Sequence, residues 1–270
     1  MKLIDCFMYF DEDLILDIRL NTLKEEVDKF VIAEATRNHA GEPKKLNFDI
    51  NRFSKFKDKI IYLIIEDLPT NVNSFKKNWH VNHIRDQFQR NALSRGYKEF
   101  DENDLVMISD IDEIPNPNKI KDFNLKNKYG CFLQKNYQSK INLLNISEGD
   151  WAGTKICIKK YLKSPQWLRN LKIKKKPFWK VFEKKLQIIN EGGWHFSFLK
   201  DAESIRRKIK SYSHQEYNTK EFTDIKNIEQ KISKNIDLFG RKIDYKVVDL
   251  DKTFPSYIFE NKEKFKDWIL

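Results

Sequence analysis

The residues best suited to chemistry form an acidic cluster near the middle of the chain. Asp110, Asp112 and Glu113 stand in the segment SDIDEIP, directly after the apolar run LVMIS. Alternation along an extended chain would point the first two carboxylates the same way, and two adjacent negative charges favour a cation between them. Hard oxygen ligands suit Mg²⁺ or Mn²⁺, which also share coordination with phosphate groups. The segment therefore predicts a metal site for a phosphate-bearing ligand.

The same acids also have a simpler structural interpretation. Asp and Glu favour the first turn of a helix, where the helix dipole is positive, and Pro115 suits the first helical position. The buried strand that precedes the acids favours the metal interpretation, because ligands of open α/β sheets bind beyond the carboxyl ends of the strands.

Histidines supply further candidates for the site. His195, in GGWHFSF, follows two glycines that let the backbone approach a ligand closely, although a lone histidine among aromatic residues is also typical of a core. His214 and Glu216, in SYSHQEYN, form a second polar cluster at a predicted helix end, which capping would explain equally well. The sequence suggests no role for the other histidines, His39, His80 and His83.

The elements that must position these residues alternate between strand and helix in the first half of the chain. Apolar runs predict strands over residues 3–10, 30–35, 59–68 and 105–109. Helical periodicity predicts helices over residues 14–27 and 83–96. This alternation indicates an α/β fold with a mostly parallel sheet and right-handed crossovers.

The second half is less regular and richer in aromatic residues. Its predicted elements are strands over 129–138, 154–162 and 192–199 and helices over 201–212 and 221–236. We expect a single domain over residues 1–270, with a nucleotide-binding half over 1–125 and an irregular half over 126–270.

Composition and charge limit the classes of function. The 270 residues include 51 Lys and Arg against 40 Asp and Glu, a formal net charge of +11, and 40% are hydrophobic, which excludes a disordered chain. Positive charge is densest over residues 159–186, where Trp167, Phe178 and Trp179 interleave. Nucleic acid or anionic lipid could bind there. With no nucleic-acid-binding motif beside the charge, a solvated lysine surface is favoured.

Cysteine usage and hydropathy indicate the compartment. The three cysteines form no C-x-x-C pair, which argues against a zinc ribbon or a disulfide scaffold and for a reducing compartment. Because no stretch approaches 18 uncharged apolar residues, no membrane-spanning segment is predicted. We expect a cytoplasmic protein that could contact a membrane peripherally.

Several segments in order resemble glycosyltransferase family 17. They are DCFMYFDEDLILDIRL, VDKFVIAEATRNHAGEPKKLNF, KIIYLIIED, QRNAL, DLVMISDIDEIP and GGWHFSF. The resemblance implies a GT-A fold and a nucleotide-sugar donor, UDP-N-acetylglucosamine in the characterised member. It also implies inversion at the anomeric carbon, a glycan or lipid-linked glycan acceptor, and a role in polysaccharide biosynthesis.

The resemblance also assigns roles to individual residues. It implies that Asp110 and Asp112 bridge Mn²⁺ or Mg²⁺ to the donor diphosphate, with His195 as a further metal ligand. Glu34, at a strand end, and Arg90, in QRNAL, match positions suited to donor binding, although ordinary salt bridges would explain both. Independently of the resemblance, Trp151 and Trp194 could stack on sugar faces, although a place in the core would explain both.

An inverting transfer also needs a carboxylate base for the acceptor hydroxyl. The base candidates are Glu113, Asp150, Glu191 and Glu216. The loop TRNHAGEPKKL departs from the family pattern at Asn38 and Lys45, which leaves the transferred sugar open.

Two other functions compete with sugar transfer. One is a metal-dependent phosphoesterase that uses the same acids. The other is a basic protein with a degenerate transferase fold that binds nucleic acid or an anionic surface. The acids of SDIDEIP argue against a nucleic-acid partner, because without a metal they would repel phosphate.

Overall fold

The computed structural model describes residues 1–70, 78–173 and 186–270, and these ranges form a large central sheet flanked by helices. The strands are β1 Leu3–Met8, β2 Lys29–Ala35, β3 Ile60–Ile65, β4 Leu105–Ser109, β5 Glu113–Pro115, β6 Tyr129–Gln138, β7 Leu143–Asn145, β8 Trp151–Ile158, β9 Leu186–Ile189, β10 Gly193–Ser197 and β11 Tyr245–Val247. The helices are α1 Asp13–Leu23, α2 Asn78–Ala92, α3 Pro117–Ile120, α4 Pro165–Arg169, α5 Ala202–Ser211, α6 Lys220–Thr223, α7 Ile225–Ser233 and α8 Ser256–Glu260. The predicted α/β class is confirmed.

The first four strands lie side by side in the order β3, β2, β1, β4, and all of them are parallel. Both faces of this part of the sheet are covered. Phe7 and Ile32 pack into one hydrophobic cluster, and Cys6 and Val31 pack into another on the opposite face. This explains the unbroken apolar runs, because a parallel strand buried on both faces has no polar side. Parallel pairing also brings the carboxyl ends of β1, β2 and β4 to one edge.

The second half extends the sheet with mixed pairing. Strand β8 runs antiparallel to β4 and to β6, whereas β10 runs parallel to β6. Strand β10 also pairs antiparallel with β5, which sets His195 opposite Glu113. Residues of both halves share the larger core, from Leu3 to Phe265.

The segment after the acidic turn forms a strand and not the start of a helix. Glu113, Ile114 and Pro115 make β5, and helix α3 begins only at Pro117, with Asn116 as its N-cap. The cap side chain accepts a hydrogen bond from the backbone amide of Asn118. The helix-terminus interpretation of the acids is therefore wrong, because pairing with β10 satisfies the backbone of this segment instead.

Other sequence predictions meet mixed outcomes. The strands predicted over 105–109 and 129–138 agree with β4 and β6. The helix predicted over 221–236 divides into α6 and α7, because Asp224 adopts an extended backbone and caps α7 through the amide of Asn227. The strand predicted over 154–162 begins earlier, at Trp151, and ends at Ile158.

Part of the basic stretch over 159–186 lies outside the described residues, including Phe178 and Trp179. Trp167 packs edge-to-face on Tyr129, with ring centroids 5.1 Å apart, so part of its ring surface is covered. The three cysteines are buried as free thiols. Across the described ranges, no helix combines the length and the apolar character needed to cross a membrane.

Candidate functional site

A pocket of about 300 Å³ lies at the edge where the parallel strands end. The segments that follow β1, β2 and β4 form its floor, and residues of α2 and of α5 with the loop after it form its walls. Three residues of the predicted metal site, Asp110, Asp112 and His195, line it together with the predicted donor-binding Arg90. The fold therefore brings these four residues together although up to 105 positions separate them in sequence.

The ionisable side chains that line the pocket balance in charge. Four are acidic and four are basic: Glu12, Asp86, Asp110 and Asp112, against Arg37, Lys44, Arg90 and Lys208. With neutral histidines their formal charges sum to zero, so the +11 surplus of the chain lies outside the pocket. A ligand that carries negative charge would need an accompanying cation to keep this balance.

Both carboxylate oxygens of Asp110 are already bound by arginines. Arg90 donates to Oδ1 at 2.9 Å, and Arg169 donates to Oδ2 at 3.0 Å. Burial alone would raise the pKa of Asp110, but the charges of Arg169 and Arg90 outweigh it and hold the pKa well below its usual range. Asp110 is therefore ionised, and two guanidinium groups hold its carboxylate in place at the pocket.

Asp112 is held more loosely than Asp110. Its Oδ1 lies 3.8 Å from His195 Nε2, and its Oδ2 lies 3.5 Å from Lys208 Nζ. Burial lowers the pKa of Lys208, but the charges of Asp112 and Glu12 outweigh burial and leave that pKa above its usual value. Lys208 is therefore a protonated cation at the pocket wall, able to face either Asp112 or an anionic ligand.

The donor set of the pocket suits a metal that arrives with a ligand. Within residues 1–70, 78–173 and 186–270, no three His, Cys, Asp or Glu side chains gather closely enough to hold an ion by themselves. Asp112 and His195 nevertheless face each other across a gap that one cation can bridge. Mg²⁺ is typically held by one or two carboxylates together with substrate phosphates and water. These two residues therefore fit a nucleotide-bound divalent cation.

His195 is oriented by Trp151 on β8. Trp151 stacks on its ring, with centroids 4.7 Å apart and an interplanar angle of 25°. Trp151 Nε1 also donates to Glu113 Oε1 at 2.6 Å. Trp151 thus contacts both the histidine and the acidic turn, and its side chain remains exposed enough to contact a sugar.

Gly193 permits the close pairing that places His195. Its φ is +132°, and an added Cβ would lie 2.1 Å from the carbonyl oxygen of Ile114. We expect Gly193→Ala to lower the free energy of unfolding by about 3 kcal/mol or more, since backbone strain and overlap add. Thermal unfolding measures the loss.

Gly240→Ala is a matched control for that substitution. Gly240 also has a positive φ, of +73°, but nothing lies within 4 Å of the added Cβ. We expect a cost of about 1 kcal/mol from the backbone alone. Equal melting temperatures for the two variants would contradict the role given to the β5–β10 contact.

The predicted base Glu113 is fully buried and already bound. Its Oε1 accepts from Arg169 and from Trp151, both at 2.6 Å, and its Oε2 accepts from the backbone amide of Asp110 at 3.2 Å. Its carboxylate does not line the pocket. These contacts join the acidic turn to α4 and β8, which is a positioning role.

The other base candidates also lie away from the pocket lining. Asp150 pairs with Lys135 at 2.7 Å, and Glu191 is largely exposed beside Lys119. Glu216 hydrogen-bonds to His214, whose ring does line the pocket. Burial raises the pKa of Glu216, but the hydrogen bond with His214 outweighs it and the pKa falls, contrary to what a base requires. The described pocket therefore supports none of these base assignments.

Two of the predicted donor-binding residues act in the scaffold. Glu34 is fully buried and accepts hydrogen bonds from Lys44 Nζ, Tyr62 and the amides of Asn47 and Phe48. It anchors the loop after β2, whose first residues line the pocket. Trp194 is buried in the core, and its Nε1 donates to the carbonyl oxygen of Thr253 at 3.1 Å.

Arg19 supports the acidic turn from behind. The side chain is fully buried and pairs with Asp5 through two hydrogen bonds of 2.8 and 2.6 Å. Its Nη1 also donates to the carbonyl oxygens of Asp110, Ile111 and Glu113. The backbone that presents the acids is therefore shaped by a buried guanidinium on α1.

Four pocket residues carry little or no signal in the sequence. Lys208 stands in RRKIKS and looks like any surface lysine of a lysine-rich chain. Glu12 stands in FDEDL, and its position after the first predicted strand is all that marks it in the sequence. His39, to which the sequence assigned no role, lines the pocket, and so does His83.

Comparison with known proteins gives the class of protein to which this pocket belongs. The family description "Glycosyltransferase family 17" matches residues 1–269. The protein is thus a glycosyltransferase, which binds a sugar donor and a glycan acceptor. The chain belongs to glycosyltransferase family 17, as the resemblance indicated, and membership favours sugar transfer over the phosphoesterase and nucleic-acid alternatives.

Other comparisons add little. No curated protein gives a significant match to the chain. Among solved structures, the inositol-1-phosphate CTP transferase from T. maritima is similar at 12% identity, over 100% of this chain and 97% of that chain, with a TM-score of 0.30. A likeness at that TM-score carries no argument about substrate or chemistry.

Proposed function

We propose that the protein is an inverting, metal-dependent glycosyltransferase of the GT-A type. It would move N-acetylglucosamine from UDP-N-acetylglucosamine to a hydroxyl group of a glycan or lipid-linked glycan. Family membership supports the choice of donor sugar and the inversion, and the residues of the pocket support the metal. The observation that carries the proposal is the facing pair of Asp112 and His195 at the carboxyl edge of a parallel sheet.

The charges of the pocket support a donor that binds as a metal complex. The lining residues are formally neutral, and a diphosphate diester carries about two negative charges at neutral pH. One divalent cation would restore the balance, held by Asp112 and His195 on the protein side. When bound, this ion would supply charge compensation for the leaving diphosphate.

The residues of the chain would perform the remaining work around the leaving group. The acceptor oxygen attacks the anomeric carbon, the bond from that carbon to the diphosphate oxygen breaks, and the hydroxyl proton passes to a base. Lys208 lies 3.5 Å from Asp112 and is positioned to donate to a diphosphate oxygen as negative charge develops. Arg90 and Arg169 keep Asp110 ionised and fixed beside that centre.

Thermal unfolding with UDP and Mn²⁺ tests the donor class directly. Ligand at about 100 times its Kd stabilises the native state by about 2.7 kcal/mol, which corresponds to a rise of about 5–10 °C in Tm for a chain of this size. We expect the rise only with UDP and Mn²⁺ together, because the pocket needs both charges.

The controls are Mn²⁺ alone, UDP with EDTA, and UMP with Mn²⁺. Transfer is then measured as UDP released from UDP-N-acetylglucosamine in the presence of glycan acceptors. A Tm that is the same in all four conditions, with no UDP release, would refute the proposal.

A further inference from the structure

The pocket has a second polar end, separate from the Asp112–His195 pair. It is formed by the loop after β2 and by α2, and it contains His39, Asp86 and Gln89. The strands β4, β1 and β2 are neighbours in the sheet, so the two ends are about two strand spacings, or about 10 Å, apart. A nucleoside diphosphate whose phosphates occupy the metal end would extend its nucleoside to the second end.

A chain of hydrogen bonds fixes the orientation of His39. The side-chain amide of Gln89 donates through Nε2 to the buried carbonyl oxygen of Ala33 at 3.0 Å. Since a carbonyl oxygen can only accept, the amide cannot be reversed, and its Oε1 must face His39 Nε2, 2.9 Å away. An amide oxygen also only accepts, so the proton of a neutral His39 is on Nε2. Its Nδ1 then presents a lone pair.

The lone pair of His39 lies beside a second acceptor. Nδ1 is 3.9 Å from Asp86 Oδ1, which is too far for a direct hydrogen bond. Arg90 donates to both carboxylate oxygens of Asp86, at 2.9 and 3.3 Å. Two acceptors therefore stand side by side in the pocket wall, and a donor group about 2.9 Å from each would fit between them.

The surroundings fit a planar ring at the same end. The rings of His83 and His214 both line the pocket and contact each other edge-to-face, with centroids 5.0 Å apart. The backbone of His39 is held independently of its side chain, because its amide donates to Ser211 and its carbonyl oxygen accepts from Arg85, each at 3.1 Å. Substitution of the His39 side chain therefore leaves the anchors of the loop in place.

We propose that His39 Nδ1 and the Asp86 carboxylate bind a hydrogen-bond donor on the nucleoside of the sugar donor. Gln89 acts as a positioning residue that fixes the tautomer of His39. This hydrogen-bond donor is either the imide N–H of the uracil ring or a ribose hydroxyl, because each can donate a proton to two adjacent acceptors. This assignment rests on the proposed function and names the residues that select the nucleoside.

Calorimetric titration with UDP and with inorganic pyrophosphate, both in Mn²⁺, tests the assignment. We expect His39→Phe to weaken UDP binding about tenfold or more, as for the loss of a hydrogen bond to a charged or polar group. Pyrophosphate should bind as it does to the wild type, because it occupies only the metal end. Gln89→Leu should also weaken the binding of UDP and not that of pyrophosphate, but by a smaller factor than His39→Phe.

Glu42→Gln is the matched control. Glu42 is exposed in the same loop, does not line the pocket, and accepts from Asn38 through an oxygen that glutamine retains. This variant should bind both ligands as the wild type does. Unchanged UDP affinity in His39→Phe, or an equal loss of UDP and pyrophosphate, would overturn the assignment.

Analogues of UDP identify the group that is recognised. N3-methyl-UDP lacks the imide N–H, and 2′-deoxy- and 3′-deoxy-UDP each lack one ribose hydroxyl. The analogue that lacks the recognised group should bind the wild type and His39→Phe equally. If His39→Phe weakens the binding of every analogue as much as it weakens the binding of UDP, the assignment fails. A wild type that binds no nucleotide refutes the proposed function as well, whereas an active wild type with unaffected variants refutes this assignment alone.

Discussion

Replacing Asp112 with alanine is expected to abolish sugar transfer, by about a thousandfold or more, while the fold remains intact. Its carboxylate is the negative group that faces both His195 and Lys208, and under the proposed function its removal takes away one of the two side chains that would hold the cation. Loss of charge compensation at a leaving diphosphate has effects of this size, because the interaction strengthens in the transition state. UDP release from UDP-N-acetylglucosamine measures the loss.

Two comparisons make that expectation specific. Asp112→Asn preserves the shape of the side chain and should fail similarly, since an amide is a poor partner for a divalent cation. Asp122→Asn removes an exposed carboxylate that lies 3.7 Å from Lys119, and it should leave transfer unchanged. A folded Asp112→Ala protein with wild-type activity would remove the acidic motif from the mechanism.

The dependence on Mn²⁺ separates a metal ligand from a general electrostatic role. If Asp112 holds the ion, the residual activity of Asp112→Asn should need a much higher Mn²⁺ concentration than the wild type. If Asp112 only positions Lys208, the concentration of Mn²⁺ at half-maximal activity should stay the same while the rate falls. Titration of activity against Mn²⁺ distinguishes these cases.

The parts of this site that sequence could predict are those carried by local pattern. The apolar runs of β1, β2, β3 and β4 are long, continuous and separated by helical periodicity, so a parallel sheet follows from them. The acidic turn stands at a strand end, and the end of a parallel strand is where ligands bind. Both inferences need only neighbouring residues.

The contacts that define the chemistry depend on distant partners. Asp110 and Asp112 stand two positions apart in a similar local sequence, yet one is paired with arginines of α2 and α4 while the other faces His195 and Lys208. Glu113 looked like a base, and only the packing of β8 and α4 shows that its carboxylate is enclosed. Such differences arise from tertiary structure, and no local propensity records them.

Arg19→Met is expected to have the largest effect on stability. The substitution leaves the fully buried carboxyl group of Asp5 without its partner, and it removes the donor that three turn carbonyls share. Breaking a buried ion pair costs about 3–5 kcal/mol, which corresponds to a fall of about 10 °C or more in Tm. Arg19→Lys should recover little, because a single ammonium cannot replace a planar group with several donors.

Two further proteins test the cause of that loss. Arg95 pairs with Asp67 at 2.7 Å on the surface, so Arg95→Met should cost about 1 kcal/mol or less. The double variant of Arg19→Met and Asp5→Leu removes both members of the buried pair. Its loss in free energy of unfolding should be smaller than the sum of the losses of the two single variants. Both Arg19→Met and the double variant should lack transfer activity, because in each the carbonyls of the acidic turn lack their donor. Recovery of stability without recovery of transfer would separate the two roles of Arg19, whereas a fully active double variant would show that the turn keeps its shape without the guanidinium.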